Sequence, residues 1–178
     1  MKFYVDLSLG RLAKWLRLLG FDTELRRLTP HTLLPPWQHG VYFLARRSSW
    51  PRRQQRPDLI ILTGDDVEAQ LTVLAQRLPL APETWTPLQR CSDCNVPLRP
   101  LSSSEVEGRV PDYIASRHGQ FHECPRCQRV FWEGSHQRRI RQRLAHLAGQ
   151  PREGGAAPEA VSPPAEAAAG QPWQPPLR

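Results

Sequence analysis

Four cysteines in two identical pairs constrain this chain more than any other feature. Cys91-Ser-Asp-Cys94 and Cys124-Pro-Arg-Cys127 stand 29 residues apart, and there is no other cysteine. Each C-x-x-C sets two thiolates on one tight turn. Two such turns facing each other build a tetrahedral four-sulfur site with no open position, which is the chemistry of a structural Zn²⁺. Two disulfides or a redox C-x-x-C are the competing readings. Nothing marks the chain as secreted, and redox chemistry needs only one pair. We therefore expect one structural zinc held by Cys91, Cys94, Cys124 and Cys127. The spacer between the pairs is longer than in the commonest ribbons, so the hairpins should carry an inserted segment.

The rest of the chain divides by composition. Residues 151–178 contain 17 Pro, Gly or Ala among 28 positions and almost no aliphatic side chains. Such a segment cannot bury a core, and a disordered tail from 150 to 178 is expected. Without those residues the chain carries 22 basic against 14 acidic side chains, or +8, and Lys2 and Lys14 are its only lysines. Arginine grips phosphate bidentately and stacks on bases, so an Arg-rich surface suits RNA or DNA, although a GC-rich genome would also favour its codons. Lys2, Asp6, Arg11, Lys14 and Arg17 interrupt any secretory signal, and no apolar run approaches the ~20 residues of a membrane helix. A cytoplasmic protein without membrane contact is the expectation.

Strand and helix signals alternate through the first half. Residues 2–5 read as a strand ending at Asp6, followed by a helix capped by Ser8 and closed at Gly20. Leu12, Trp15, Leu16 and Leu19 form its apolar face, and Arg11, Lys14 and Arg17, spaced by three, form a basic stripe. Phe21–Leu25, Val41–Ala45 and Leu59–Thr63 read as strands. Pro30, Pro35 and Pro36 break any long helix between the second and third. The link from Arg46 to Pro57 reads as a basic loop, and Asp65 or Asp66 caps a helix running to about Leu80. The fold class is α/β with a largely parallel sheet. A ribbon over about 88–136 and a short basic helix over 137–149 complete the chain.

Candidate chemistry gathers at strand ends. Asp6 follows the first strand at its carboxyl end, where open α/β sheets place their sites. With neighbouring carboxylates it could hold Mg²⁺ or Mn²⁺ for phosphodiester cleavage; alone it is an ordinary cap. Asp65-Asp66 suits a helix cap with Glu68 in the first turn better than a metal pair. His118, His122 and His136 lie in or beside the ribbon, whose ion the cysteines already satisfy. Phe131 and Trp132 fit ribbon packing better than a base-stacking platform. No phosphate-cradling glycine loop, dinucleotide fingerprint or nucleophile elbow is present.

Taken together, Asp6, the run Leu9-Gly10-Arg11-Leu12-Ala13-Lys14-Trp15-Leu16-Arg17-Leu18-Leu19-Gly20-Phe21-Asp22-Thr23, Arg109-Val110-Pro111, the 124–127 knuckle and Phe131-Trp132-Glu133-Gly134-Ser135-His136 make a specific set. On these motifs the chain resembles the Mut-seven C-terminal RNAse domain family over residues 1–140. The resemblance implies a PIN-like domain over 1–82, with a mostly parallel sheet flanked by helices, and a zinc ribbon with a short helix over 88–140. It also implies metal-dependent RNA cleavage by clustered acids, of which Asp6 matches the first. Departures follow. The family's acidic pair after the second strand falls on Leu28–Leu34, which holds no carboxylate. Its next acid falls on Arg47, within Phe43-Leu44-Ala45-Arg46-Arg47. Asp65 and Asp66 match a later helix start. The expectations are thus a nuclease with Asp6, Asp65 and Asp66 as catalytic residues or, alternatively, a catalytically impaired RNA-binding zinc-ribbon protein. Arg11, Lys14, Arg17, Arg46 and Arg47, with the Arg46–Arg56 loop and the Arg138–Arg143 helix, are the expected RNA contacts.

Overall fold

A computed structural model describes residues 1–47, 50, 56–80 and 82–135, together with 138, 139, 142 and 145. Most of the basic loop after Arg47, His136, most of the expected C-terminal helix and the tail lie outside the described residues. Four strands, β1 (Lys2–Asp6), β2 (Asp22–Arg26), β3 (Val41–Arg46) and β4 (Leu59–Leu62), form one sheet in the order β2-β1-β3-β4. Every pair is parallel. The apolar runs Phe-Tyr-Val and Leu-Ile-Ile-Leu suit such strands, because a parallel sheet is covered on both faces.

Those two faces are covered differently. Helix α1 (Gly10–Leu18) and helix α2 (Val67–Arg77) both pack on one, where Leu12, Leu16, Leu71 and Leu74 meet Phe3, Val5, Leu44 and Leu62 in the main core. On the other face Leu28, Leu34 and Trp50 cover Tyr4, Phe43, Ala45 and Leu59. No helix forms between β2 and β3, since Pro30, Pro35 and Pro36 break the segment that would otherwise cross over as one. Arg56 ties this irregular stretch to the sheet. Its guanidinium donates to both oxygens of Asp58, at 2.9 and 2.7 Å, and to the Pro35 carbonyl at 2.7 Å. Asp58 is 1% exposed, so this pair is structural.

One capping expectation is corrected. Ser8 does not cap α1; a 3-10 turn over Leu7–Leu9 precedes the helix, and its cap is the Asp6 carboxylate, which accepts from the Ser8 amide at 3.0 Å. Gly20 then ends the helix at φ +98°, pressed against the connector to the ribbon. A Cβ there would lie 2.3 Å from the Thr86 carbonyl oxygen, so only glycine fits.

The second half is a three-stranded antiparallel sheet, β5 (Arg99–Leu101), β6 (Phe121–Glu123) and β7 (Val130–Trp132), in that order. The inserted segment contributes helices α3 (Ser103–Val106) and α4 (Asp112–Arg117). Val106, Val110 and Phe121 form a small core, on which Trp132 packs. The motif Arg109-Val110-Pro111 is structural here. Arg109 pairs with Glu123 and donates to the Gln128 carbonyl at 3.0 Å, Val110 enters the core, and Pro111 opens α4.

Candidate metal centre and carboxylate edge

The two knuckles are built alike. In the first, the Cys91 amide donates to the Val96 carbonyl, the Asn95 amide donates back to the Cys91 carbonyl, and the Cys94 amide points at the Cys91 sulfur at 3.3 Å. In the second, Cys124 donates to Arg129, Gln128 donates to Cys124, and the Cys127 amide points at the Cys124 sulfur at 3.4 Å. The position after each second cysteine is left-handed, Asn95 at φ 62° and Gln128 at φ 61°, which lets each turn close on itself. The four Sγ atoms lie within 4.8 Å of one another. Cys91 and Cys127 sulfurs are 3.7 Å apart. That is far beyond a disulfide bond, and it matches the edge of about 3.8 Å that a tetrahedron with 2.3 Å Zn–S arms requires. The donor set therefore fits a closed metal site. Without a metal, burial raises the Cys91 pKa, whereas the Arg129 backbone N–H holds Cys127 down at about 7.

Knuckle one docks on the edge of the parallel sheet through Arg17. The sequence pattern places Arg17 on an exposed stripe, but the structure leaves it 5% exposed. Steps of three fall about 60° short of a full turn, so Arg17 stands round the helix beside buried Ala13 rather than above Arg11. Its guanidinium donates to the carbonyls of Thr23, Ser92 and Asp93 at 2.9, 3.0 and 2.8 Å. Buried in this way, it is withdrawn from the basic surface. Lys14 is exposed and pairs with Asp93 at 2.7 Å, while Arg11 is exposed.

The carboxyl edge of the sheet is assembled otherwise. Asp6 is 7% exposed. One oxygen accepts from the Ser8 amide and hydroxyl, at 3.0 and 2.5 Å, and the other from the Leu28 amide at 2.9 Å. Burial pushes its pKa up, but the Ser8 hydroxyl and the amides of Leu28, Ser8 and Leu7 outweigh it and hold the carboxyl below its ordinary value. Asp66 accepts from the Ala69 amide at 3.0 Å and caps α2. Asp65 is exposed and pairs with Arg46. Arg47, just beyond β3, is exposed.

Strand β3 separates β1 from β4, so their ends stand about 9–10 Å apart. Side chains alternate along a strand, so Asp6 leans to the face of Tyr4, whereas Arg46 leans with Leu44 toward the helices and Asp65. Among the described residues the four cysteines are the only group of three or more potential ligands converging within 4.8 Å. Asp6, Asp65 and Asp66 are not brought together.

Sequence reasoning missed several partners: Asn95 at the sheet edge, the Arg56–Asp58 pair, and Glu123 between Arg99 and Arg109. Asn95 carried a usable signal, because asparagine is the side chain that best tolerates the left-handed turn a knuckle needs. The others join residues whose meeting no local pattern announces.

The sequence model of one protein family, described as the Mut7-C RNAse domain, matches residues 1–144. No curated protein matches the chain. No solved structure matches it either.

Proposed function

The chain belongs to the Mut7-C RNAse domain family, and from that premise we propose that it binds RNA without a working divalent-metal nuclease centre, beside an intact structural zinc site. One observation carries this reading. Both oxygens of Asp6 are taken by donors of its own chain, and Asp65 already has the Arg46 guanidinium as its cation. Mg²⁺ or Mn²⁺ needs carboxylates free to ligate and close enough to share an ion. Here the acids are dispersed, and Arg46 and Arg47 bring positive charge to the edge where an ion would sit.

Zinc, held by Cys91, Cys94, Cys124 and Cys127, supplies folding energy to the ribbon and no chemistry. Four cysteines kept for zinc and not paired as disulfides suit a reducing compartment such as the cytoplasm. Among the described residues, no helix is long and apolar enough to cross a membrane. Phosphate contact falls to the exposed cations Arg11, Lys14 and Arg47, with Arg46 next to Arg47 in the chain; Arg17 leaves the set because it is buried.

The test uses the full zinc-loaded chain and single-stranded RNA. Binding should survive EDTA in a short assay that leaves the zinc in place, and weaken steeply with salt. Cleavage in Mg²⁺ or Mn²⁺ should not exceed that of Asp6→Asn. Robust metal-dependent turnover lost in Asp6→Asn would establish instead the nuclease reading with Asp6, Asp65 and Asp66.

A further inference from the structure

Strand β2 lies at the end of the sheet and pairs only with β1, so one side of its backbone faces away from the ladder. Near the start of that side sits Thr23, the second residue of the strand, which is 0% exposed. Both of its outward backbone groups are satisfied by other parts of the chain. Its amide donates to the Asn95 side-chain oxygen at 3.0 Å, and its carbonyl accepts from Arg17 Nε at 2.9 Å. Asn95 also donates through Nδ2 to Asp22 at 2.7 Å. These two side chains come from different elements, Arg17 from α1 and Asn95 from the first cysteine knuckle.

The same two residues shape the knuckle. Arg17 Nη1 donates to the carbonyls of Ser92 and Asp93, the two residues between the ligands Cys91 and Cys94. The backbone N–H of Asn95 closes the turn on the Cys91 carbonyl at 2.9 Å, so the side chain that reaches the sheet is anchored in the knuckle itself. Asp93 is pinned from outside by Lys14 and Arg129. A zinc ion with four thiolates carries a net charge of −2, and Arg17 places a buried positive charge beside two of those ligands. Groups that orient ligands in this way commonly change metal affinity when removed.

We propose that Arg17 and Asn95 are positioning residues of the metal centre, and that through them zinc binding and closure of the β2 edge form one coupled equilibrium. Metal at the cysteines fixes the Ser92 and Asp93 carbonyls and the Asn95 side chain where the sheet edge needs them. By linkage, a sheet edge that holds Arg17 and Asn95 in place raises zinc affinity by the same factor. The ribbon is then a brace for the parallel sheet, and not a separate module joined by a tether.

The test needs no RNA. Zinc affinity of the full chain is measured by competition with a chromophoric chelator for wild type, Asn95→Ala, Arg17→Met and Arg17→Lys. Arg11→Ala, an exposed cation on the same helix, is the control. Asn95→Ala and Arg17→Met should bind zinc about 10- to 100-fold more weakly. Arg17→Lys should recover part of the loss through its charge, and Arg11→Ala should match wild type. Hydrogen exchange is read in parallel on the wild type: chelation should expose the peptide containing Thr23 while amides of β3 stay protected. If Arg17→Met does not fold, Asn95→Ala carries the affinity arm alone. Zinc affinities within twofold of wild type, or Thr23 protection indifferent to chelation, overturns the coupling. A wild type that takes up no zinc overturns the metal centre with it.

Discussion

At the ribbon, four ligand atoms converge, and two of them accept from a backbone amide of their own turn, Cys91 from Cys94 and Cys124 from Cys127. At the carboxyl edge of the sheet, the carboxylates of Asp6, Asp65 and Asp66 do not converge as a group, and each is already engaged by a neighbour. Both regions carry residue types able to bind metal. What separates them is whether the donors are left over after the fold is satisfied. A backbone-capping carboxylate stabilises its turn and is thereby removed from ligation; a knuckle cysteine has no other use.

The sharpest break of this comparison is at the ribbon. Its core is small, so the ion should supply most of its stability, with apparent binding free energies of about 10–16 kcal/mol typical of structural zinc. Cys124→Ser should therefore lose most of the metal and the order of β5–β7. Elemental analysis of reduced protein should find one zinc per wild-type chain and far less in the variant. A wild-type stoichiometry near zero removes this half of the contrast.

Next in size is Arg56→Ala, which leaves the Asp58 carboxylate buried and unpaired. Breaking one side of such a pair costs about 3–5 kcal/mol, read as a lower denaturant midpoint. The variant should bind RNA as wild type does when folded, because Arg56 faces its own chain. A loss of RNA affinity with stability unchanged would return Arg56 to the nucleic-acid surface.

Asp6 tests the other half directly. Its pKa is lowered on folding, so its stabilising contribution is present above the unfolded value near ~3.9 and is lost as pH falls through the folded one. Asp6→Asn should cost about 1–3 kcal/mol at neutral pH, and the gap to wild type should close as the solution is acidified below pH ~4. A carboxylate kept for metal chemistry behaves oppositely, since neutralising it commonly stabilises a site. A more stable Asp6→Asn at pH 7 would mark Asp6 as a working ligand.

The cysteine spacing alone pointed to the converging sulfurs, because two turns of fixed geometry leave few other arrangements. The parallel sheet was equally legible from the alternation of apolar runs with the helix of Leu12 and Leu16. Arg17 was not. A helical stripe written in sequence gives an angle, and the angle of Arg17 is outward only if nothing docks there; the knuckle that covers it arrives from 75 residues downstream. The state of Asp6 was half visible. Its place after β1 was readable, but the Leu28 amide that occupies one oxygen comes from a segment whose path the prolines obscure.

The smallest effect separates the two knuckles from each other. Asn95 and Gln128 hold the same turn position at φ 62° and 61°, where a side chain other than glycine is strained. Gln128 offers the turn only its backbone: its amide bonds Cys124 and its carbonyl accepts from Arg109. Gln128→Gly should therefore relieve strain while keeping both bonds, a gain of up to about 1 kcal/mol less the entropy that glycine adds to the unfolded chain. Asn95→Gly relieves less strain, since asparagine tolerates the left-handed turn better than glutamine, and it removes the side chain that satisfies Thr23 and Asp22, each hydrogen bond being worth about 1 kcal/mol. The two substitutions should move the midpoint of thermal unfolding of the zinc-loaded chain in opposite directions, Gln128→Gly up and Asn95→Gly down. If both raise it, the sheet edge gains nothing from Asn95, and the knuckles are equivalent turns that differ only in what happens to lie beside them.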